Sequence, residues 1–289
     1  MKLPFRLGFI GLGIMGKEML KNLIKDGYKP VIYNRTLTKC FEFEKEGCSI
    51  APSPSIMAEM VEAVIIMVEN DDALRDVIEG SAGIFSRFKA GNYIVNMSTI
   101  SFDFSKYIDV ECRKRGIKFL DCPVVGSKKQ AENRELLILA SGEERDVEKF
   151  SKIFLSMGGE VIYTGQVPNS TALKLSVNLI IAFMTVGITE ATLLSKKLGI
   201  NPLLLFDTLK KSPVLNCGFF RGKEYNLIYD NFETSFSIKN ITKDIGYIIK
   251  AAEEKNLKIY ATEFLKSIFE KAIKSGYFNE DITAIKKTY

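Results

Sequence analysis

Residues Arg6–Gly27 read RLGFIGLGIMGKEMLKNLIKDG, and this stretch decides the fold. Arg6 to Ile10 predicts a short buried strand. Gly11-Leu12-Gly13-Ile14-Met15-Gly16 follows it, and a helical run then continues to Gly27. Each glycine has its own physical task. Gly11 permits a tight turn, Gly13 lets the main chain approach a pyrophosphate, and Gly16 allows helix to pack closely on strand. The N-terminus of the helix offers free N–H groups and a positive dipole to phosphates. A plain strand-to-helix turn is the competing explanation, but the flanking strand and helix within a unit of about 30 residues favour a dinucleotide site.

The next predicted strand, Pro30 to Tyr33, ends in Asn34-Arg35-Thr36. NAD sites place an acid about 20 residues beyond the third glycine, where it holds the ribose hydroxyls. No acid stands there in this chain. Arg35 can instead form a charge-assisted fork with a 2′-phosphate, and Thr36 can donate a hydroxyl. The expected cofactor is therefore NADP (as NADPH), held by residues 11 to 16 and by Asn34, Arg35 and Thr36.

Further apolar runs at Ala63–Val68, Tyr93–Met97, Lys118–Asp121, Leu136–Ala140 and Val161–Tyr163 alternate with helical stretches. That rhythm predicts a mostly parallel, doubly wound α/β sheet of the Rossmann kind, with ligands outside the carboxyl ends of the strands. Two strand ends suit a ligand. Ser98 and Thr99 offer hydroxyls to cofactor or substrate. The other strand end, Asp121 to Lys129, offers at Gly126 and Ser127 N–H groups and a hydroxyl beside Lys128 and Lys129, a combination that suits a carboxylate.

From Asn169 to Gly199 the chain reads as one proline-free helix, about 40 Å long at 1.5 Å per residue. Asn169 or Ser170 can cap its start and Gly199 its end. Its middle is apolar on every side, which predicts burial in protein. Lys174 interrupts the pattern four residues before Asn178, so the two share a face. Snorkelling to solvent is the ordinary explanation for such a lysine. Beyond Gly199 only helical periods follow, with Phe236–Glu254 and Thr262–Ser275 the clearest. The expected division is a nucleotide-binding domain over 1–165 and an all-α domain over 166–289 that includes an interdomain helix at 169–198.

Composition narrows the chemistry. The chain has 289 residues, 46% of them hydrophobic, and a net charge of +5 spread without large basic clusters. An anionic small molecule is a compatible partner, and nucleic acid is not indicated. Five cysteines without CxxC spacing suggest neither a disulfide framework nor a metal site. There is no histidine, so a Ser-His-Asp triad and a histidine acid are excluded, and lysine, tyrosine, cysteine or a carboxylate must carry any proton. The start lacks a signal-peptide layout, and the long helix contains Asn178 and Glu190 with no companion span. The expectation is cytoplasmic, without a membrane.

These segments resemble the β-hydroxyacid dehydrogenases, the group that contains 3-hydroxyisobutyrate dehydrogenase. The likeness runs nearly end to end, through GFIGLGIMGKEMLKNL, NRT, NMSTIS, DCPVVGSKKQAE, LKLSVN and TKD. NRTLTKC, GSKKQAE, LLILASGE and ITAIKKTY resemble the glyoxylate/succinic semialdehyde reductase branch in particular. The resemblance implies a Rossmann domain, a long interdomain helix and an all-α domain, assembled as homodimers or homotetramers. It places the catalytic lysine at Lys174 and its asparagine at Asn178. It assigns Ser98, Thr99, Val125, Gly126 and Ser127 to the substrate carboxylate. Lys243 falls near the cofactor, Asp244 near the catalytic lysine, and Phe236 on the site lining. The family's usual serine is Val125 here, and Val167-Pro168-Asn169-Ser170 replaces a glycine-rich turn. The implied activity is NADPH-dependent reduction of a small aldehyde acid to its hydroxy acid, with Lys174 as proton donor. The alternatives are a 3-hydroxyisobutyrate dehydrogenase and a non-catalytic nucleotide-binding module.

Overall fold

The computed structural model describes residues 6–289, and the chain divides into two units after Leu175. In the first, strands and helices alternate: β1 (Leu7–Ile10), α1 (Ile14–Lys25), β2 (Val31–Tyr33), α2 (Phe41–Glu44), β3 (Ser49–Ile50), α3 (Pro54–Met60), β4 (Ala63–Ile66), α4 (Asp71–Glu79), β5 (Tyr93–Asn96), α5 (Phe102–Lys114) and β6 (Lys118–Asp121). Their six strands form one parallel sheet in the order β3-β2-β1-β4-β5-β6. This is the order of a dinucleotide-binding sheet, which reverses direction at β1/β4. β1, β4 and β5 are buried along their whole length, because helices cover both faces. Side chains alternate between two cores accordingly. Phe9, Ile65 and Val95 enter one, and Ile10, Ile66 and Ile94 enter the other.

The remaining strands do not extend that sheet. β7 (Val124–Val125), α6 (Lys128–Glu132), β8 (Leu136–Ala140), α7 (Glu144–Met157) and β9 (Gly158–Tyr163) build a second, three-stranded sheet. In it β7 runs antiparallel to β8, and β8 parallel to β9. The break falls at Pro123, which has no N–H to continue the ladder. The main sheet is thus parallel as expected, and the strands beyond Asp121 peel away from it.

The second unit is helical. α8 (Asn169–Lys197) crosses the division, and α9 (Pro202–Lys211), α10 (Gly218–Tyr229), α11 (Ile238–Glu254) and α12 (Tyr260–Lys274) follow. No strand lies beyond β9 among the described residues. Gly199 ends α8 with φ at +79°, as the left-handed stop requires. The core of this unit gathers Ala182, Ile238, Ile241, Ile245, Leu265 and Phe269.

α8 corrects one expectation. It spans 29 residues and is long and apolar enough to cross a membrane, yet it is not buried on all sides. Ile180, Phe183 and Leu194 are exposed, whereas Thr185, Thr189 and Thr192 are buried. Each threonine hydroxyl donates to the carbonyl four residues earlier, at Ile181, Thr185 and Ile188. A polar group satisfied within its own helix enters a core at little cost. Average hydropathy therefore could not tell which face turns inward.

Candidate active site

The glycine loop has the steric demands read from its spacing. Gly11 sits at φ +100°, and a Cβ there would lie 2.0 Å from the Met67 carbonyl oxygen. One on Gly16 would lie 2.0 Å from the Gly11 oxygen, so neither position accepts a side chain. Gly13 differs: a Cβ on it would meet nothing within 4 Å. The main chain is bare where a phosphate would approach. No side chain caps α1 at Gly13, and its first turn carries no acid, so its N–H groups and dipole remain directed to an anion. The residues fit a nucleotide pyrophosphate.

Asn34 braces this loop. Its Oδ1 accepts from Leu12 N at 2.9 Å, and its Nδ2 donates to the Thr36 oxygen at 2.9 Å. The turn after β2 is thereby tied to the glycine loop. Arg35 and Thr36 are exposed beyond it, and Arg35 pairs with no acid among the described residues.

At the end of β5, Ser98 is fully buried. Its hydroxyl accepts from Val68 N at 2.8 Å, so it joins the ends of β4 and β5. Thr99, beside it, is half-buried. In the β7–α6 loop, Gly126 has φ +141°, and a Cβ would lie 2.7 Å from Leu136. Ser127 donates both its N–H and its hydroxyl to Gln130 Oε1, at 3.0 and 2.6 Å. The loop is anchored to α1 by Asn22 Nδ2, which donates to the Ala131 oxygen at 2.6 Å, and by the Arg134–Asp26 ion pair.

Asp121 ends β6, and sequence reasoning gave it no role. It is fully buried. Oδ1 accepts from Asn96 Nδ2 at 2.8 Å. Oδ2 accepts from Ser105 Oγ at 2.7 Å, Thr171 Oγ1 at 2.6 Å and Ser170 Oγ at 3.2 Å. Ser170 also donates to the Asp121 main-chain oxygen at 2.7 Å, so its hydroxyl reaches the sheet rather than capping α8. Burial pushes the Asp121 carboxyl above the ordinary carboxylate range, and the four donors only partly oppose it. Lys174, in the next turn of α8, is buried.

In the second unit, Asn178 Nδ2 donates to Asp244 Oδ2 at 2.7 Å, and both residues are buried. Lys243 Nζ lies 3.1 Å from Asp244 Oδ1 and 5.2 Å from the Tyr247 ring centroid. Asp244 is therefore no solvated surface acid. Asn178 Oδ1 is buried without a hydrogen-bond donor among the described residues, an acceptor that a donor of a bound molecule would satisfy. Phe236 is half-buried against the helical core. Its turn is set by Asp281, which accepts from Ser235 Oγ at 2.7 Å and is paired with Lys223 Nζ at 2.8 Å. That buried pair also escaped sequence reasoning. Its one local signal is Asp281-x-Thr283, where Oδ1 accepts from Thr283 N.

The first unit is an α/β unit whose glycine loop fits a nucleotide pyrophosphate, and the helical unit holds its own buried cluster of Asn178, Lys243 and Asp244. Comparison with known proteins agrees with it. The NAD binding domain of 6-phosphogluconate dehydrogenase matches residues 6–165, and the NAD-binding domain of NADP-dependent 3-hydroxyisobutyrate dehydrogenase matches residues 169–289. The chain is 32% identical over 279 residues to glyoxylate/succinic semialdehyde reductase 1 of Arabidopsis thaliana, covering 96% of each. It is 29% identical over 288 residues to mitochondrial 3-hydroxyisobutyrate dehydrogenase of Rattus norvegicus, covering 96% of this chain and 85% of that one. A crystal structure of 3-hydroxyisobutyrate dehydrogenase from Salmonella typhimurium shares the fold, with a TM-score of 0.88 at 22% identity over 98% of this chain and 99% of that one. The protein is an NAD(P)-dependent oxidoreductase. It belongs to the β-hydroxyacid dehydrogenase family.

Proposed function

We propose that the protein uses NADPH to reduce a small aldehyde acid, glyoxylate or succinic semialdehyde, to the hydroxy acid, and runs the reverse oxidation. The observation that carries this reading is a buried lysine, Lys174, in a chain without histidine. When bound, reduced nicotinamide supplies the hydride that the carbonyl carbon accepts. The Lys174 ammonium hydrogen-bonds the carbonyl oxygen and gives it a proton as negative charge develops. Asn178, one turn further along α8, orients Lys174 or the substrate, and Asp244 holds the Asn178 carboxamide. Thr99 and the Val125–Ser127 loop take the carboxylate. Because Gln130 Oε1 holds both donors of Ser127, a bound carboxylate exchanges with that oxygen or uses neighbouring N–H groups.

Arg35 and Thr36, exposed at the end of β2, support NADPH over NADH. The exposed apolar side chains of α8, Ile180, Phe183 and Leu194, support a homo-oligomer that covers them, a dimer or tetramer measurable by light scattering. The match of residues 169–289 favours a second reading, 3-hydroxyisobutyrate dehydrogenase.

Consumption of NADPH and of NADH with glyoxylate, succinic semialdehyde and methylmalonate semialdehyde separates these readings. Turnover of the first two with NADPH supports the proposal. Turnover of the third alone supports the second reading. NADPH binding without consumption of any would identify a nucleotide-binding module. Arg35→Ala should lower the NADPH/NADH preference at least about tenfold, the scale of one lost charge-assisted fork. An unchanged preference would remove Arg35 from the cofactor site.

A further inference from the structure

We infer that Asp121 is a positioning residue for the reaction, acting through the first turn of α8 on Lys174. The inference rests on the assignment of Lys174 as proton donor. Its carboxylate draws donors from three elements: Asn96 at the end of β5, Ser105 on α5, and Ser170 with Thr171 on α8. Asp121 forms no ion pair among the described residues, so neutral donors alone solvate it. Each is held in alignment, because drift of Asn96 removes the side-chain donor of Oδ1, and drift of a hydroxyl from Oδ2 leaves a buried O–H without its acceptor and the carboxylate less well solvated. The orientation of any one donor is thereby linked to the others.

Thr171 and Ser170 precede Lys174 by three and four residues, so all three lie on one side of the helix. Pinning two successive side chains one turn ahead of Lys174 opposes both rotation of α8 about its axis and sliding along it. Asn96 completes the connection. Its Oδ1 accepts from Ser98 N at 3.0 Å, while its Nδ2 donates to the Ser98 oxygen at 3.1 Å as well as to Asp121. One carboxylate therefore sets the register between the strand end carrying Ser98 and Thr99 and the helix turn carrying Lys174. All of these residues lie in the first unit. A reaction that depends on where a proton donor stands is sensitive to this register, since misplacement by about 1 Å costs on the order of a hundredfold in rate. A purely structural carboxylate at a helix start would instead affect stability alone.

The test uses the full chain with NADPH and whichever of glyoxylate and succinic semialdehyde the unmodified protein turns over faster. Thr171→Val removes one donor at constant shape, Thr171→Ser restores a hydroxyl, and Asp121→Asn removes the charge. The expected result is a fall in kcat of about ten- to a hundredfold for Thr171→Val and Asp121→Asn, with KM for NADPH within about twofold. Thr171→Ser should recover most of the loss. Unchanged kcat in Thr171→Val, equal impairment of Thr171→Ser, or a kcat that merely tracks the folded fraction would overturn the inference. Lys174→Ala, assayed in parallel, separates two failures. If it keeps turnover, the proton-donor assignment falls and this inference with it. If it is inactive while Thr171→Val matches the unmodified protein, the positioning role alone is refuted.

Discussion

Asp121 in the first unit and Asp281 in the second both have no exposed surface, and the chain holds them in opposite ways. Asp121 is met by two serines, a threonine and an asparagine, and burial raises its carboxyl. Burial also pushes Asp281 up, but the Lys223 ammonium and hydrogen bonds from Ser235 and Thr283 outweigh it and hold the carboxyl below its usual range. Neutral donors leave part of the desolvation cost standing, whereas a buried cation removes it. The first arrangement is strained towards protonation and sits beside the turn that carries Lys174. The second is a closed ion pair that fixes the Ser235–Phe236 turn.

Breaking the ion pair should have the largest effect on stability. Lys223→Met leaves a buried, unpaired carboxylate and should cost about 3–5 kcal/mol, measured by denaturant unfolding. A loss below about 1 kcal/mol would mean that solvent reaches the pair. Asp121→Asn should cost less, about 1–3 kcal/mol, because some of its four donors are left facing an amide N–H₂. Equal costs at the two sites would erase the distinction between them.

The pH dependence of the two sites should have opposite sign. Asp281 has a depressed folded value, so its contribution is complete above the unfolded carboxyl value of about 4 and is lost as pH falls through the folded value. The Tm difference between the unmodified protein and Asp281→Asn should therefore shrink on acidification. Asp121 has a raised folded value, so its contribution is complete below about 4 and declines as pH rises towards the folded value. The Tm difference from Asp121→Asn should shrink in the alkaline direction. Slopes of the same sign would contradict the assignment of neutral donors to one site and a cation to the other.

The smallest effect belongs to buried polar groups with only local partners. Thr189→Val should change stability by less than about 1 kcal/mol, since the lost hydroxyl served only the Thr185 carbonyl. A larger loss would show that Thr189 bonds outside its own helix.

These contrasts explain what was legible in the sequence. The glycine loop was, because Gly11 and Gly16 answer to main-chain sterics that act within a few residues or against the adjoining strand. The parallel sheet and the helical unit followed from periodicity and buried runs. Lys174 stood out as a charge in an apolar helix. Asp121 did not, because its donors come from positions 96, 105, 170 and 171, which only the folded sheet brings together. Asp281 and Lys223 are separated by 58 residues and carry no spacing signal. The inward face of α8 was hidden for another reason: its threonines satisfy themselves, so polarity did not mark the solvent side. Ser127 looked like a donor for a ligand, and the Gln130 side chain that engages it became visible only in the fold.

The most direct test of the account is single-turnover hydride transfer in Lys174→Ala, followed by loss of NADPH absorbance, with NADPH affinity measured separately by fluorescence. The account predicts a rate reduced by about 10²–10⁴-fold, the range for a general acid, with NADPH affinity close to that of the unmodified protein. Hydride transfer at the unmodified rate would contradict it and require another proton donor.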